Sequence, residues 1–127
     1  MKTLRILSLL LIVSVFASAQ TKDENISHLQ NVLSYSLYES KVKIDKKGNL
    51  SRKDNNGNQF KYALSDIEEV NTSFDGFHNV VITFKSGKTA LAIINGNENL
   101  HSINVFAFAN AEDCEKAKDL FIELISE

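Results

Sequence analysis

The sequence predicts an α+β fold, with an N-terminal helix, seven short antiparallel strands and a C-terminal helix in that order. Three observations carry this expectation. Apolar residues recur with a helical period at both ends of the chain that follows the leader, and with a period of two through its middle. Clusters of Asn, Asp and Gly break the middle into short runs, as hairpin turns do. No proline occurs among the 127 residues and no low-complexity stretch suggests a linker, so one domain is expected.

The first element is read as an address rather than as structure. Lys2 and Arg5 precede an apolar run from Ile6 to Phe16, and Ala17-Ser18-Ala19 supplies the small-x-small pattern of a cleavage site. The run is shorter than the roughly 20 apolar residues of a spanning helix. The expectation is an exported protein, periplasmic or extracellular, cut between Ala19 and Gln20 and without a transmembrane helix after cleavage. Residues 20–127 then form the domain.

Thr21-Lys22-Asp23-Glu24 has the spacing of a capping box. Ile26, Leu29, Leu33 and Leu37 follow at helical spacing, which predicts a helix over residues 21–38. From Lys41 the period becomes two, with Val42 and Ile44 between Lys41, Lys43 and Asp45. Lys46-Lys47-Gly48-Asn49 turns the chain into a short return strand, Leu50 to Lys53. Asp54-Asn55-Asn56-Gly57-Asn58 is a second turn, because Asn-Gly accepts the positive φ of a tight hairpin.

Phe60, Tyr62 and Leu64 predict a third strand, and Ile67 with Val70 a brief fourth ended by Asp75-Gly76. Phe77 to Phe84 and Thr89 to Ile94 flank Lys85-Ser86-Gly87-Lys88 as a hairpin rich in β-forming residues. Residues 95–99 are expected to be a polar loop, and Ser102 to Ala109 the seventh strand. Asn110 is placed to cap a last helix that buries Cys114, Ala117, Phe121 and Leu124.

Seven antiparallel strands closed by an amphipathic helix resemble the pleckstrin-homology-like barrel, over residues 41–126. The segments that carry the resemblance run from Tyr62 to Val70, with Ser65-Asp66-Ile67 at the centre, and from Phe106 to Asp113, where the last strand enters the helix. The chain has no tryptophan, so the resemblance is to bacterial-type members rather than to the eukaryotic branch. It implies a module that binds lipids, peptides or protein partners. An open antiparallel sheet covered by a helix is the other arrangement this order allows.

Chemistry-bearing residues are few. His28, His78 and His101 are too far apart in sequence to form a short-spaced zinc motif. Asp54, Asn56 and Asn58 alternate like calcium ligands, but Gln59 and Ser65 stand where such a loop needs glycine and glutamate. No metal or other cofactor is expected. Cys114 is the lone cysteine, so no disulfide can form within the chain, and its place on an apolar stripe predicts a buried thiol.

Charge is uneven. Without Lys2 and Arg5 the chain carries 12 basic and 16 acidic residues, which disfavours a nucleic-acid partner. Yet Lys41, Lys43, Lys46, Lys47, Arg52 and Lys53 gather on and around the first hairpin. Two readings fit them: a site for an anionic lipid or polysaccharide surface, or a solvated edge that blocks aggregation. The expected function is an exported, non-catalytic binding module. A small hydrolase using His78 or His101, or a secreted inhibitor or subunit with a protein partner, is the alternative.

Overall fold

The computed structural model describes residues 22–126. The expected signal peptide, its cleavage point and Thr21 of the expected capping box lie outside the described residues.

Helix α1 covers residues 22–34. Then come β1 (Glu39–Ile44), β2 (Asn49–Asp54), β3 (Gln59–Ala63), a 3-10 turn (Leu64–Asp66), β4 (Ile67–Phe74), β5 (His78–Phe84), β6 (Ala90–Ile94), β7 (Asn97–His101), β8 (Ile103–Phe108) and α2 (Ala111–Ile125). All strand pairs are antiparallel, and the fold is α+β. The first sheet runs β1-β2-β3-β6-β7 and the second β4-β5-β8. No strand ladder joins the two sheets among the described residues, so they face one another without closing into one hydrogen-bonded barrel.

Three expectations change. Among the described residues there are eight strands and not seven, because β7 forms within and just beyond the segment expected to be a loop. Its residues are polar, but they pair along β6 from Asn97–Ile94 to His101–Ala90. The brief fourth element is an eight-residue strand paired along the length of β5. Helix α1 stops four residues early. The Leu37 amide leaves the helix to donate to the Ala107 carbonyl at 2.7 Å, and Tyr38 turns left-handed at φ 68°.

Two turns of one design fix the first three strands. In Asp45-Lys46-Lys47-Gly48-Asn49 the Asp45 carboxylate accepts from the amides of Lys47 and Asn49, both at 2.9 Å. In Asp54-Asn55-Asn56-Gly57-Asn58 the Asp54 carboxylate accepts likewise from Asn56 and Asn58. Gly48 and Gly57 take φ 85° and 86°, which a side chain would strain. These amide donors hold the Asp45 carboxyl below its ordinary range.

The core lies between the sheets and under the helices. Val42, Ile44, Leu50 and Tyr62 of the first sheet face Val80, Ile82 and Phe106 of the second. Tyr62 meets Phe84 edge-on at 5.1 Å between ring centroids. Leu29 and Leu33 of α1 are fully buried, and the Gln30 side chain accepts from the Ile44 amide on the free edge of β1. The last helix is capped as expected, with the Asn110 side chain accepting from the Asp113 amide at 2.9 Å. Its stripe of Cys114, Ala117, Phe121 and Leu124 is buried, and Phe121 packs 6.2 Å from Phe106.

Candidate functional site

Strand alternation sends successive side chains to opposite faces, and this sorts the basic residues of the first hairpin. Lys41 pairs with Lys53, and Lys43 with Ser51, which in turn pairs with Lys61 on β3. All five side chains are exposed on the outer face of the first sheet, where with Gln59 they line a shallow groove of about 280 Å³. The register continues from Lys61 to Leu91 on β6, and from Leu91 to Leu100 on β7. Leu100 is 72% exposed. The outer face is thus cationic over three strands, with Leu91, Ile93 and Leu100 and the exposed Glu98 beside them on β6 and β7.

Among the described residues the only ion pairs are Arg52–Glu39 and Lys118–Glu115. None of the outer-face lysines has a carboxylate of the described residues at ion-pair distance. Lys41 and Lys53 are directly opposed, an arrangement in which like charges destabilise a strand pair.

Lys46 and Lys47 lie in the turn at the end of the hairpin. Lys47 lines a separate hollow of about 240 Å³ that also draws in Lys22 from α1, Lys85 from the β5–β6 turn and the side of Leu64.

Arg52 is placed differently from the lysines around it. It pairs with Val42 on the inner face and is 8% exposed. One guanidinium nitrogen donates to the Asn104 side chain at 2.9 Å and to the Val105 carbonyl at 2.7 Å. Another donates to the Glu39 carboxylate, itself buried. The guanidinium stacks 3.7 Å from the centroid of Phe106 and 5.2 Å from that of Phe60. The Tyr62 hydroxyl donates to the same Asn104 oxygen at 2.9 Å. This polar cluster ties the first sheet to β8 of the second.

Burial pulls the Arg52 guanidinium down to about 10, partly offset by Tyr62 and Asp54, and it stays protonated at neutral pH. Burial also pushes the Tyr62 hydroxyl well above the usual tyrosine range. Cys114 is buried, and desolvation followed by the nearby Glu115 charge raises its thiol.

The histidines stand apart. His78 opens β5 with its ring 4.8 Å from that of Phe74, and His101 ends β7 with its ring 6.0 Å from Phe60. Asp75, three residues before His78, accepts from the Asn79 side chain at 2.9 Å. Both carboxylate oxygens of Asp54 are spent on turn hydrogen bonds, accepting from the amides of Asn56 and Asn58 and from the Asn58 side chain. No group of three or more His, Cys, Asp or Glu residues is placed to hold a metal among the described residues.

Sequence reasoning missed Lys61 as part of the outer face and Glu39 and Asn104 as partners of Arg52. Strand parity carried the signal for Lys61 and Arg52: Leu50 inward places Arg52 inward, and Ser51 outward places its neighbour on β3 outward. No protein-family model, curated protein or solved structure matches the chain.

Proposed function

We propose that this chain is an exported, non-catalytic binding module of pleckstrin-homology-like build that docks on anionic lipid surfaces through the outer face of its first sheet. The observation that carries the reading is the direct opposition of Lys41 and Lys53, flanked by Lys43 and Lys61, with no carboxylate among the described residues at ion-pair distance. A surface of anionic headgroups supplies that relief. Each lysine near such a surface contributes about 1 kcal/mol, so four supply roughly 4 kcal/mol. Leu91 and Leu100 beside them favour a lipid surface over a polysaccharide, since an apolar side chain gains where acyl chains are in reach.

The test is cosedimentation with phosphatidylglycerol vesicles and with neutral phosphatidylcholine vesicles over a range of salt. Binding is expected only to the anionic vesicles, and it should fall as salt shortens the Debye length to about 8 Å at physiological strength. The double variant Lys43→Glu, Lys53→Glu should lose it with an unchanged circular dichroism spectrum. Equal binding by this variant, or none by the parent at low salt, makes the lysines a solvated edge.

A further inference from the structure

Four strands end a sheet: β1 and β7 the first, β4 and β8 the second. Three of these edges are occupied or guarded among the described residues. On β1 the Gln30 side chain accepts from the Ile44 amide. On β8 the carbonyls of Ala107 and Val105 accept from the Leu37 amide and from Arg52. β4 carries a register shift between Ile67 and Glu69 and the exposed carboxylates of Glu68 and Glu69. Bulges and charges of this kind keep an edge from pairing. β7 has an unbroken register, no lysine and no proline, and all but its last residue are exposed.

Register fixes which groups β7 offers. β6 turns into β7 through the two-residue loop Asn95-Gly96, with φ 53° and 80°, so Ile94 and Asn97 are a hydrogen-bonded pair. Alternation then turns Asn99 and His101 toward β6 as well, and Glu98 and Leu100 away from it. The same parity, carried across the sheet, turns Ile44 outward on β1, where Gln30 meets it. Glu98 and Leu100 therefore each present an amide and a carbonyl at the open edge. No turn, loop or cap hydrogen bond of the described residues uses them.

We propose that the β7 edge binds an extended peptide segment, which joins the five-stranded sheet as a further antiparallel strand. In such complexes main-chain bonds give affinity and alternate side chains give specificity. The segment carries an aliphatic residue opposite Leu100 and, two residues later, a lysine or arginine opposite Glu98. Leu100 is the most exposed large apolar side chain among the described residues, and a strand beside it covers it. Glu98 is exposed and makes no ion pair among the described residues, so a facing cation complements it. The residue between the two lies beside the exposed Asn99 on the other face and is polar. A second copy of β7 fits worse. Paired on itself it sets Glu98 against Leu100 or against another Glu98, and centred on Leu100 it overlaps only at residues 99–101. β6 separates this edge from Lys61 on β3, and no lysine takes part, so the site stands or falls apart from the lipid-docking reading.

The test is a lipid-free nuclear magnetic resonance titration of the full folded domain with the end-blocked peptide Thr-Thr-Ile-Thr-Lys-Thr-Thr and its twin with Glu in place of Lys. The lysine peptide should slow hydrogen exchange at the Glu98 and Leu100 amides and bind about fivefold more tightly than the twin. Methylating the peptide's Ile and Lys amide nitrogens should abolish binding, while methylating the central Thr nitrogen, which points away from β7, should not. Glu98→Lys should reverse the preference between the two peptides. The peptide arms need no variant, so the proposal stays testable should Glu98→Lys lose its fold. It is overturned if neither amide is protected, if the peptide methylated at Ile and Lys binds undiminished, or if a folded Glu98→Lys still prefers lysine. Protection of the two amides on raising the protein concentration without peptide assigns the edge to a second copy and overturns it too.

Discussion

Strand β2 holds both of the molecule's ways of keeping a cation. Lys53 points out into water opposite Lys41, while Arg52, one residue earlier, points inward onto Glu39, Asn104 and the face of Phe106. The two share a hairpin, a charge and nearly the same sequence position. They differ in what replaces water. Arg52 exchanged its hydration for a fixed set of acceptors and aromatic faces, which its planar, weakly hydrated fork suits. Lys53 kept its hydration and gained an unfavourable neighbour. A basic residue counted from sequence is therefore not yet a surface charge, and one strand can carry a buried cation and a solvated one side by side.

Removing the inner cation should have the largest effect. Arg52→Ala leaves Glu39 buried and uncompensated, and breaking a buried pair from one side costs about 3–5 kcal/mol. Chemical denaturation should show that loss, and Arg52→Lys should not restore it, because an ammonium cannot serve Asn104, Val105 and Glu39 together. A loss no greater than that of an outer lysine would break the contrast.

Truncating Phe121, fully buried against Phe106 beneath the same cluster, should cost about 3–5 kcal/mol as Phe121→Ala. It separates apolar packing from the ion pair as the source of stability at that end.

A third prediction uses Tyr62. Its folded pKa is raised, so the neutral hydroxyl belongs to the folded state and its contribution is complete below the unfolded value of about 10. Above that pH the contribution declines, and stability should fall. In an alkaline titration followed by tyrosinate absorbance, the Tyr62 signal should appear only with unfolding, and Tyr62→Phe should remove that late step. Ionisation of Tyr62 in the still-folded protein would show the cluster to be wetter than its burial implies.

The smallest effect belongs to the outer face. Lys53→Thr removes a like-charge pair and should stabilise the fold by about 0.2–1 kcal/mol, measured by thermal denaturation at low salt. The gain should vanish at high salt. Destabilisation instead would mean that Lys53 makes a contact the strand register does not reveal.

Much of this was legible in the sequence. The alternation of Val42, Ile44, Leu50, Phe60 and Tyr62, the two Asp-to-Asn turns and the Asn110 cap all appear where local chemistry puts them, because each rests on neighbours within a few residues. β7 was not legible. Asn97-Glu98-Asn99-Leu100-His101 carries no apolar alternation, and it is a strand only because β6 offers a free edge to pair with. Leu37 read as the last residue of a helical stripe, and a hydrogen bond to Ala107, seventy residues away, decided otherwise. The candidate site divides the same way. The lysines were visible as a group, whereas the burial of Arg52 depends on Glu39 and Asn104, which no local pattern connects to it.

The chain enters the first sheet with β1 to β3, leaves for the second with β4 and β5, returns with β6 and β7, and leaves again with β8. Neither sheet is therefore a contiguous stretch of sequence. A nascent chain released as far as β5 has only three strands of one sheet and two of the other, and lacks both Asn104 and the α2 stripe. The first hairpins can form early from their own turns, but the pairing of β3 with β6 and of β5 with β8 must wait for distant partners. Slow non-local pairing of this kind favours folding as one cooperative step, with amide hydrogens of both sheets exchanging together through the same global opening.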